Sequence, residues 1–237
     1  MEIRLDDHLV TTTMRTPGHD FELAVGFCHS DGLLGGAATT GIRYCDTGTA
    51  VDTEFNVVSV STDGRAPAPV ARVGTTSSSC GMCGSTAIET MTDHLDPLAR
   101  VPFDWSLVAG ISEQVRAAQE LFESTGAAHA AAAFHLGSGR VDLVREDIGR
   151  HNAVDKVVGR LRLDGRLPAH FAGSEPLGLW VSGRASFEMV QKAWAGGFSV
   201  LVSVSAPSAL AVELAERGGV ALAGFARGDA LTVYSGD

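Results

Sequence analysis

The strongest constraint on the fold is the regular alternation of strand-like and helix-like segments in the second half of the chain. Short apolar runs typical of buried strands alternate there with segments of about ten residues whose apolar positions recur at helical spacing. The predicted strands cover 130–136, 140–144, 177–182, 199–205, 221–226 and 231–234, and the predicted helices cover 106–124, 152–162, 187–195 and 208–217. This order predicts an α/β fold with a layered core.

The first hundred residues predict a smaller, separate lobe. Residues 3–14 alternate in polarity like a hairpin, residues 21–28 have helical spacing, and residues 42–45 and 55–61 resemble strands. Prolines at 97 and 102 indicate a linker. We therefore predict an N-terminal α+β lobe over residues 1–100, which carries a polar loop at 74–84, and an α/β core over residues 101–237.

The charge balance excludes several classes of partner. The chain has 18 Lys+Arg and 28 Asp+Glu, a formal net charge of −10. An acidic surface repels nucleic acid and anionic membranes at long range, so we expect neither as a partner. The sequence contains no run of about 18 apolar residues, the length that a membrane span needs. Its acidic start lacks the apolar core of a signal peptide, so we predict a cytoplasmic protein.

The sharpest chemical feature is the pair Cys80 and Cys83 in the loop 74–84. Two thiols at this spacing suit a redox dithiol, half of a zinc site, or an accessible nucleophile that carries sulfane sulfur. A structural zinc site needs four ligands, and Cys28 and Cys45 do not form a second closely spaced pair. A thioredoxin-type pair opens a helix directly after a strand, whereas a polar loop precedes this one. Two inert loop cysteines are a further alternative, and the spacing alone does not distinguish among these functions.

Four predicted loops follow strands of the core and hold most of its charged and hydroxyl residues, at 145–151, 182–186, 205–208 and 226–229. Ligands of open α/β sheets bind beyond the carboxyl ends of the strands, so these loops are candidate binding loops. Arg150 directly precedes a helix, whose free N–H groups attract anions. His151 opens that helix, and Gly149 would allow a ligand to approach the backbone. The alternative is an ion-paired helix cap.

The later loops offer groups suited to phosphate and to a flat ring. Ser182 and Arg184 supply a hydroxyl and a guanidinium that bind phosphate, although an ordinary N-cap with a surface arginine is the alternative. Ser205 begins the next loop, 205–208. The serines of this loop are explained equally well by capping of the helix that follows and by binding of a ligand. Arg227 suits a phosphate and Phe225 suits packing on a ring. His129 begins a predicted strand, and a histidine in this position is more often a packed side chain than a catalytic one.

Taken in order, several motifs resemble those of the formate dehydrogenase accessory sulfurtransferase family, FdhD. These motifs are SSSCGMCG, EDIGRHNAVDK, VSGRASFEMVQKA, VSAPSALAVELAE and the closing GFARGD. The resemblance covers nearly the whole chain. It implies a layered α/β/α core similar to the cytidine-deaminase fold, and a homodimer.

The resemblance also implies a function. Such proteins carry sulfur from a cysteine desulfurase to the molybdenum bis(guanine dinucleotide) cofactor that formate dehydrogenase needs. The family's cysteine pair corresponds to Cys80 and Cys83, with Cys80 as the expected persulfide carrier. The family's nucleotide-cofactor segment corresponds to Phe225, Ala226, Arg227, Gly228, Asp229 and Ala230.

Two departures bear on alternative functions. The zinc signature of deaminases pairs H-x-E with P-C-x-x-C, but the sequence has no H-x-E and Ser79 precedes Cys80. A zinc-dependent hydrolase is therefore disfavoured, and we predict no bound metal. The sequence begins inside the family's first motif, so a short leading arm is expected to be missing. A chaperone that binds the cofactor without transferring sulfur is the main alternative.

Overall fold

The computed structural model describes residues 1–45, 49–68, 92, 95–169 and 175–236. Its first part is a four-stranded sheet with one helix. The strands and helix are Glu2–Leu5 (β1), His8–Thr12 (β2), Asp20–Ser30 (α1), Gly41–Tyr44 (β3) and Val57–Ser61 (β4). The strand order is β2-β1-β4-β3, with β1 parallel to β4. Leu23 and Val25 of α1 pack with Ile3, Leu5 and Val58 in one apolar cluster.

Three short helices follow, where the sequence predicted one helix over 106–124. They are Trp105–Ala109 (α2), Ile111–Ala117 (α3) and Glu120–Thr125 (α4). The prediction of a continuous helix is wrong, because the helical hydrogen bonding is interrupted between α3 and α4. The carboxylate of Glu146 instead accepts the N–H groups of Leu121 and Phe122, each at 2.8 Å. A residue distant in sequence thus stabilises the start of a new helix.

The core is a six-stranded sheet. Its elements are His129–His135 (β5), Val141–Asp147 (β6), Arg150–Leu163 (α5), Leu177–Val181 (β7), Phe187–Ala195 (α6), Val200–Ser203 (β8), Ala209–Gly218 (α7), Ala221–Arg227 (β9) and Ala230–Ser235 (β10). The strand order is β10-β9-β8-β7-β5-β6. Strands β7, β8 and β9 are parallel to one another, and the other pairs are antiparallel.

Helices cover both faces of this sheet. On β5, Ala131 and Ala133 belong to the apolar cluster that contains residues of α5, α6 and α7. Ala130 and Ala132 belong instead to the cluster that contains Ile111 of α3. This alternation is the two-residue period of a strand that is buried on both sides.

The prediction of an α/β fold with a layered α/β/α core and a small N-terminal α+β part is confirmed. Helix α1 lies between the two sheets and packs on α5. The boundary near residue 100 stays a prediction. Within the described ranges, no helix combines the length and apolar character needed to cross a bilayer.

Candidate functional site

A cavity of about 790 Å³ opens at the carboxyl-terminal edge of the parallel strands. Ser182 follows β7, Val204 follows β8, and Ala226 and Arg227 end β9, and all four line the cavity. Residues of α3 and α4 form the opposite wall. Because β5 runs antiparallel to β7, its first residue, His129, lies at the same edge and also lines the cavity.

His129 and Ser182 lie together at one side of this cavity, and Arg150 packs next to them at Gly183, outside the described lining. The Nδ1 atom of His129 is 3.3 Å from Ser182 Oγ, and this hydroxyl accepts the N–H of Ala130 at 2.9 Å. A Cβ at Gly183 would lie 3.1 Å from Arg150 Cδ and 3.7 Å from His129 Cε1, so glycine permits this close packing. Burial and then the nearby Arg150 guanidinium lower the pKa of His129, which favours a neutral imidazole. His129 therefore lines the cavity as a partly buried side chain.

Arg150 and His151 begin α5 and keep unused polar groups. The Nε of Arg150 is buried without a hydrogen-bond partner among the described residues. The pKa of His151 is lowered to about 3, chiefly by burial and further by Lys192 and Arg150. A neutral imidazole beside an arginine with unused donors suits an anionic ligand, which supplies the acceptors that Arg150 lacks.

Most of the charged segment around α5 is committed to internal contacts. Arg145 binds Glu22 of α1 through two hydrogen bonds of 2.6 and 2.9 Å. Lys156 Nζ lies 2.7 Å from Asp147 Oδ2, with both side chains buried. Gly149 donates its N–H to Asp147 Oδ1 at 2.9 Å. This backbone group is therefore used within the turn before α5 and is not available to a ligand. The ion-paired cap therefore accounts for this segment apart from Arg150 and His151.

The remaining predicted site residues are spread along the same edge. Arg184 is exposed after β7, and the Ser205 carbonyl accepts the N–H of Phe225 at 3.3 Å. Phe225 is exposed with φ 55°, a left-handed conformation that turns the end of β9. Gly228 lines the cavity together with Ala226 and Arg227. The described lining does not include Arg184, Ser205, Phe225, Asp229 or Ala230.

The wall made by α3 and α4 was not predicted as part of a site. Ser112 accepts the Nε1–H of Trp180 at 3.0 Å and donates to the carbonyl of Ala226 at 3.2 Å, which ties α3 to the sheet. Arg116 and Gln119 line the cavity beside it. The available signal was the recurrence of polar residues at 112, 116 and 119, which puts them on one helix face.

The cysteine pair Cys80 and Cys83, with the loop 74–84, lies outside the described residues. Cys28 and Cys45 are both buried. Burial raises the pKa of Cys28 far above its ordinary value, which makes it a poor nucleophile at neutral pH. Over the described ranges, no three His, Cys, Asp or Glu side chains are grouped so that they can hold a metal ion.

Comparison with solved structures supports the fold. The chain superimposes on a protein from Desulfotalea psychrophila, described as a formate dehydrogenase accessory protein, with a TM-score of 0.73 and 24% identity over 99% of this chain and 85% of that one. At this identity the likeness shows the fold alone. A guanine deaminase from Nitrosomonas europaea gives a TM-score of 0.39, which is too low to carry an argument.

Comparison of sequences identifies the family. Sulfur carrier protein FdhD of Streptomyces avermitilis is 45% identical, with 100% of this chain and 85% of the relative covered. The protein of the same name from Nocardia farcinica is 44% identical, with 100% and 84% covered. The model of the FdhD/NarQ family matches residues 1–237. With its full length matched in this way, the chain belongs to the FdhD/NarQ family.

Proposed function

We propose that this chain is a sulfur carrier that takes sulfane sulfur from a cysteine desulfurase and delivers it to the molybdenum bis(guanine dinucleotide) cofactor required by formate dehydrogenase. The observation that carries the proposal is the 45% identity, over the whole chain, to a protein named sulfur carrier protein FdhD. The cavity at the strand ends supports the proposal, because it offers space for the nucleotide part of the acceptor.

The sulfur step needs one accessible thiolate. The thiolate of Cys80 attacks the sulfane sulfur of the donor's persulfide, a new S–S bond forms at Cys80, and the donor cysteine leaves as a thiolate. No oxidant or reductant is consumed. The burial of Cys28 and Cys45 makes them unsuitable for this attack, which favours Cys80, with Cys83 as its partner.

The cavity has the character of a nucleotide site. Its volume of about 790 Å³ lies within the usual range for small-molecule pockets. Phe122, Ile148 and Trp180 provide apolar surface for a ring, and Arg116 and Arg227 provide positive charge. Because the chain carries a net charge of −10, such a local arginine pair is what a polyanion requires. Arg150, His151, Arg184, Ser205 and the segment Phe225–Ala230 are proposed to extend this site along the sheet edge.

The test is intact-mass spectrometry after incubation with a cysteine desulfurase and cysteine. The wild-type chain is expected to gain the mass of one sulfur atom, and Cys80→Ala is expected to lose that gain. Cys45→Ala is the matched control and should behave as wild type. A gain that survives Cys80→Ala and Cys83→Ala equally would contradict the proposal.

A cofactor-binding chaperone without sulfur transfer would use the same cavity. Complementation of a strain that lacks the protein separates the two functions, because a chaperone variant with both Cys80→Ala and Cys83→Ala would restore formate dehydrogenase activity. A carrier with these substitutions would not. The homodimer is part of the proposal and is tested by sedimentation equilibrium.

A further inference from the structure

Gln119 has a polar side chain in the cavity wall that the protein itself does not use. It is only 8% exposed and lines the cavity. No described residue forms a hydrogen bond with its side-chain amide. The amide atoms of Gln119 are not among the buried polar atoms that lack a partner in the described residues, so the amide reaches the open space of the cavity, where a ligand can meet it.

The position of Gln119 in the backbone explains why this amide is unoccupied. Gln119 is the N-cap residue of α4, but its side chain makes no capping hydrogen bond. The carboxylate of Glu146 takes over that role, with the N–H groups of Leu121 and Phe122 at 2.8 Å. Because β6 supplies the cap, the Gln119 amide remains available to a ligand.

The surroundings of Gln119 indicate which part of a ligand it meets. Phe122 and Trp180 give the cavity apolar surface suited to a flat ring. Glu113, on the preceding turns of α3, adds a carboxylate to the same lining. An amide offers one donor and one acceptor side by side, and a carboxylate offers acceptors only. The complementary ring edge carries a carbonyl, a ring N–H and an exocyclic amine, which is the edge of guanine.

We propose that Gln119 and Glu113 recognise the guanine base of the nucleotide bound in this cavity. The Gln119 amide donates to the base carbonyl and accepts the ring N–H, and the Glu113 carboxylate accepts the exocyclic amine. This inference rests on the proposed function, which supplies the guanine nucleotide. Adenine has no amine at the corresponding carbon, so Glu113 is the residue that separates the two purines.

The test measures GDP and ADP binding to the full chain by isothermal titration calorimetry. Wild type is expected to prefer GDP. Gln119→Ala and Gln119→Glu are each expected to weaken GDP binding about tenfold, since one loses both hydrogen bonds and the other loses the donor. Glu113→Gln is expected to reduce the preference for GDP over ADP about tenfold.

Matched controls lie on the same helices. The Gln114 side chain donates to Gly139 O at 2.8 Å and accepts from Val141 N at 3.2 Å, outside the cavity lining, so Gln114→Ala should leave both affinities unchanged. Glu120→Gln, exposed on α4, is the charge control for Glu113. A thermal melt should show that Gln119→Met is no less stable than wild type.

The outcomes distinguish the two proposals. If wild type binds GDP but the Gln119 and Glu113 variants bind and discriminate as it does, the assignment of these two residues is overturned and the carrier function stands. If wild type binds neither nucleotide, the cavity is not the acceptor site, and both the assignment and that part of the proposed function fail.

Discussion

Gly26 of α1 and Gly159 of α5 face each other so closely that neither position has room for a methyl group. A Cβ at Gly26 would lie 1.8 Å from the carbonyl oxygen of Asp155, and a Cβ at Gly159 would lie 1.8 Å from that of Glu22. Both clashes are with backbone, which cannot rotate aside. The two glycines therefore set the distance between the helix of the first sheet and the helix of the core.

Alanine at either glycine is expected to force α1 and α5 apart. We expect Gly159→Ala to lower the free energy of unfolding by about 3 kcal/mol or more, because overpacking shifts whole helices here. Gly110→Ala is the control, since a Cβ there meets nothing within 4 Å. It should be neutral or slightly stabilising. Urea denaturation measures both changes, and equal effects would contradict this account of the interface.

The helix interface also shows where the sequence was informative. Alternating apolar runs predicted the core strands and helices, because a strand buried on both faces and an amphipathic helix leave distinct periods. The charged segment around α5 predicted a ligand site, yet Asp147 at the end of β6 and Asp155 of α5 pair with buried lysines. Sequence spacing places these residues on a helix face but does not reveal which other element covers that face.

The break before α4 was hidden for the same reason. It depends on Glu146, which is 25 residues from Leu121 in sequence and close to it only in the folded chain. No local pattern signals such a cap, so Gln119 seemed an ordinary position within a helix. The part of the site that follows the strands was predictable, since Ser182 and Arg227 lie where α/β sheets bind ligands.

Lys192 is expected to be among the most stabilising charged residues of the chain. Its ammonium lies 2.8 Å from Asp155 Oδ1 and 3.3 Å from Asp31 Oδ1 in a buried cluster that joins α5 and α6 to the end of α1. Lys192→Met leaves two carboxylates without their cation, so we expect a loss of about 3–5 kcal/mol in urea denaturation. Arg65→Met is the control, because the exposed pair of Arg65 with Asp63 should contribute less than about 1 kcal/mol. A similar loss in both variants would contradict the prediction.

His151 is expected to make the fold sensitive to acid. Burial and the charges of Lys192 and Arg150 lower its pKa to about 3, so the folded state keeps it neutral while the unfolded chain takes up a proton below about pH 6.5. Stability is thus lost as the pH falls from that value towards 3. Compared with His151→Gln, wild type should lose about 2 kcal/mol between pH 7 and pH 5 in urea denaturation.

The opposite titration of Asp155 does not disturb this comparison. Burial raises the pKa of Asp155 to about 6, so its contribution to stability falls as the pH rises through that value. Both proteins contain Asp155, and the difference between them isolates His151. If the free energies of unfolding of the two proteins change in parallel from pH 7 to pH 5, the pKa of His151 does not differ between the folded and unfolded states, and the prediction is wrong.

Arg227 is expected to hold the phosphates of the nucleotide in the cavity. It is exposed at the end of β9, lines the cavity, and forms no ion pair with any residue in the described part of the chain. We expect Arg227→Gln to weaken GDP binding about tenfold, because a charge-assisted hydrogen bond to phosphate is lost. The affinity of the variant should also depend less on salt than that of wild type. Arg65→Gln makes the same change of net charge at an exposed residue paired with Asp63, outside the cavity lining. Long-range repulsion by the acidic chain would weaken GDP binding equally in both variants. An equal loss of affinity in Arg65→Gln would therefore contradict the prediction, because net charge and not a contact of Arg227 with phosphate would then govern binding.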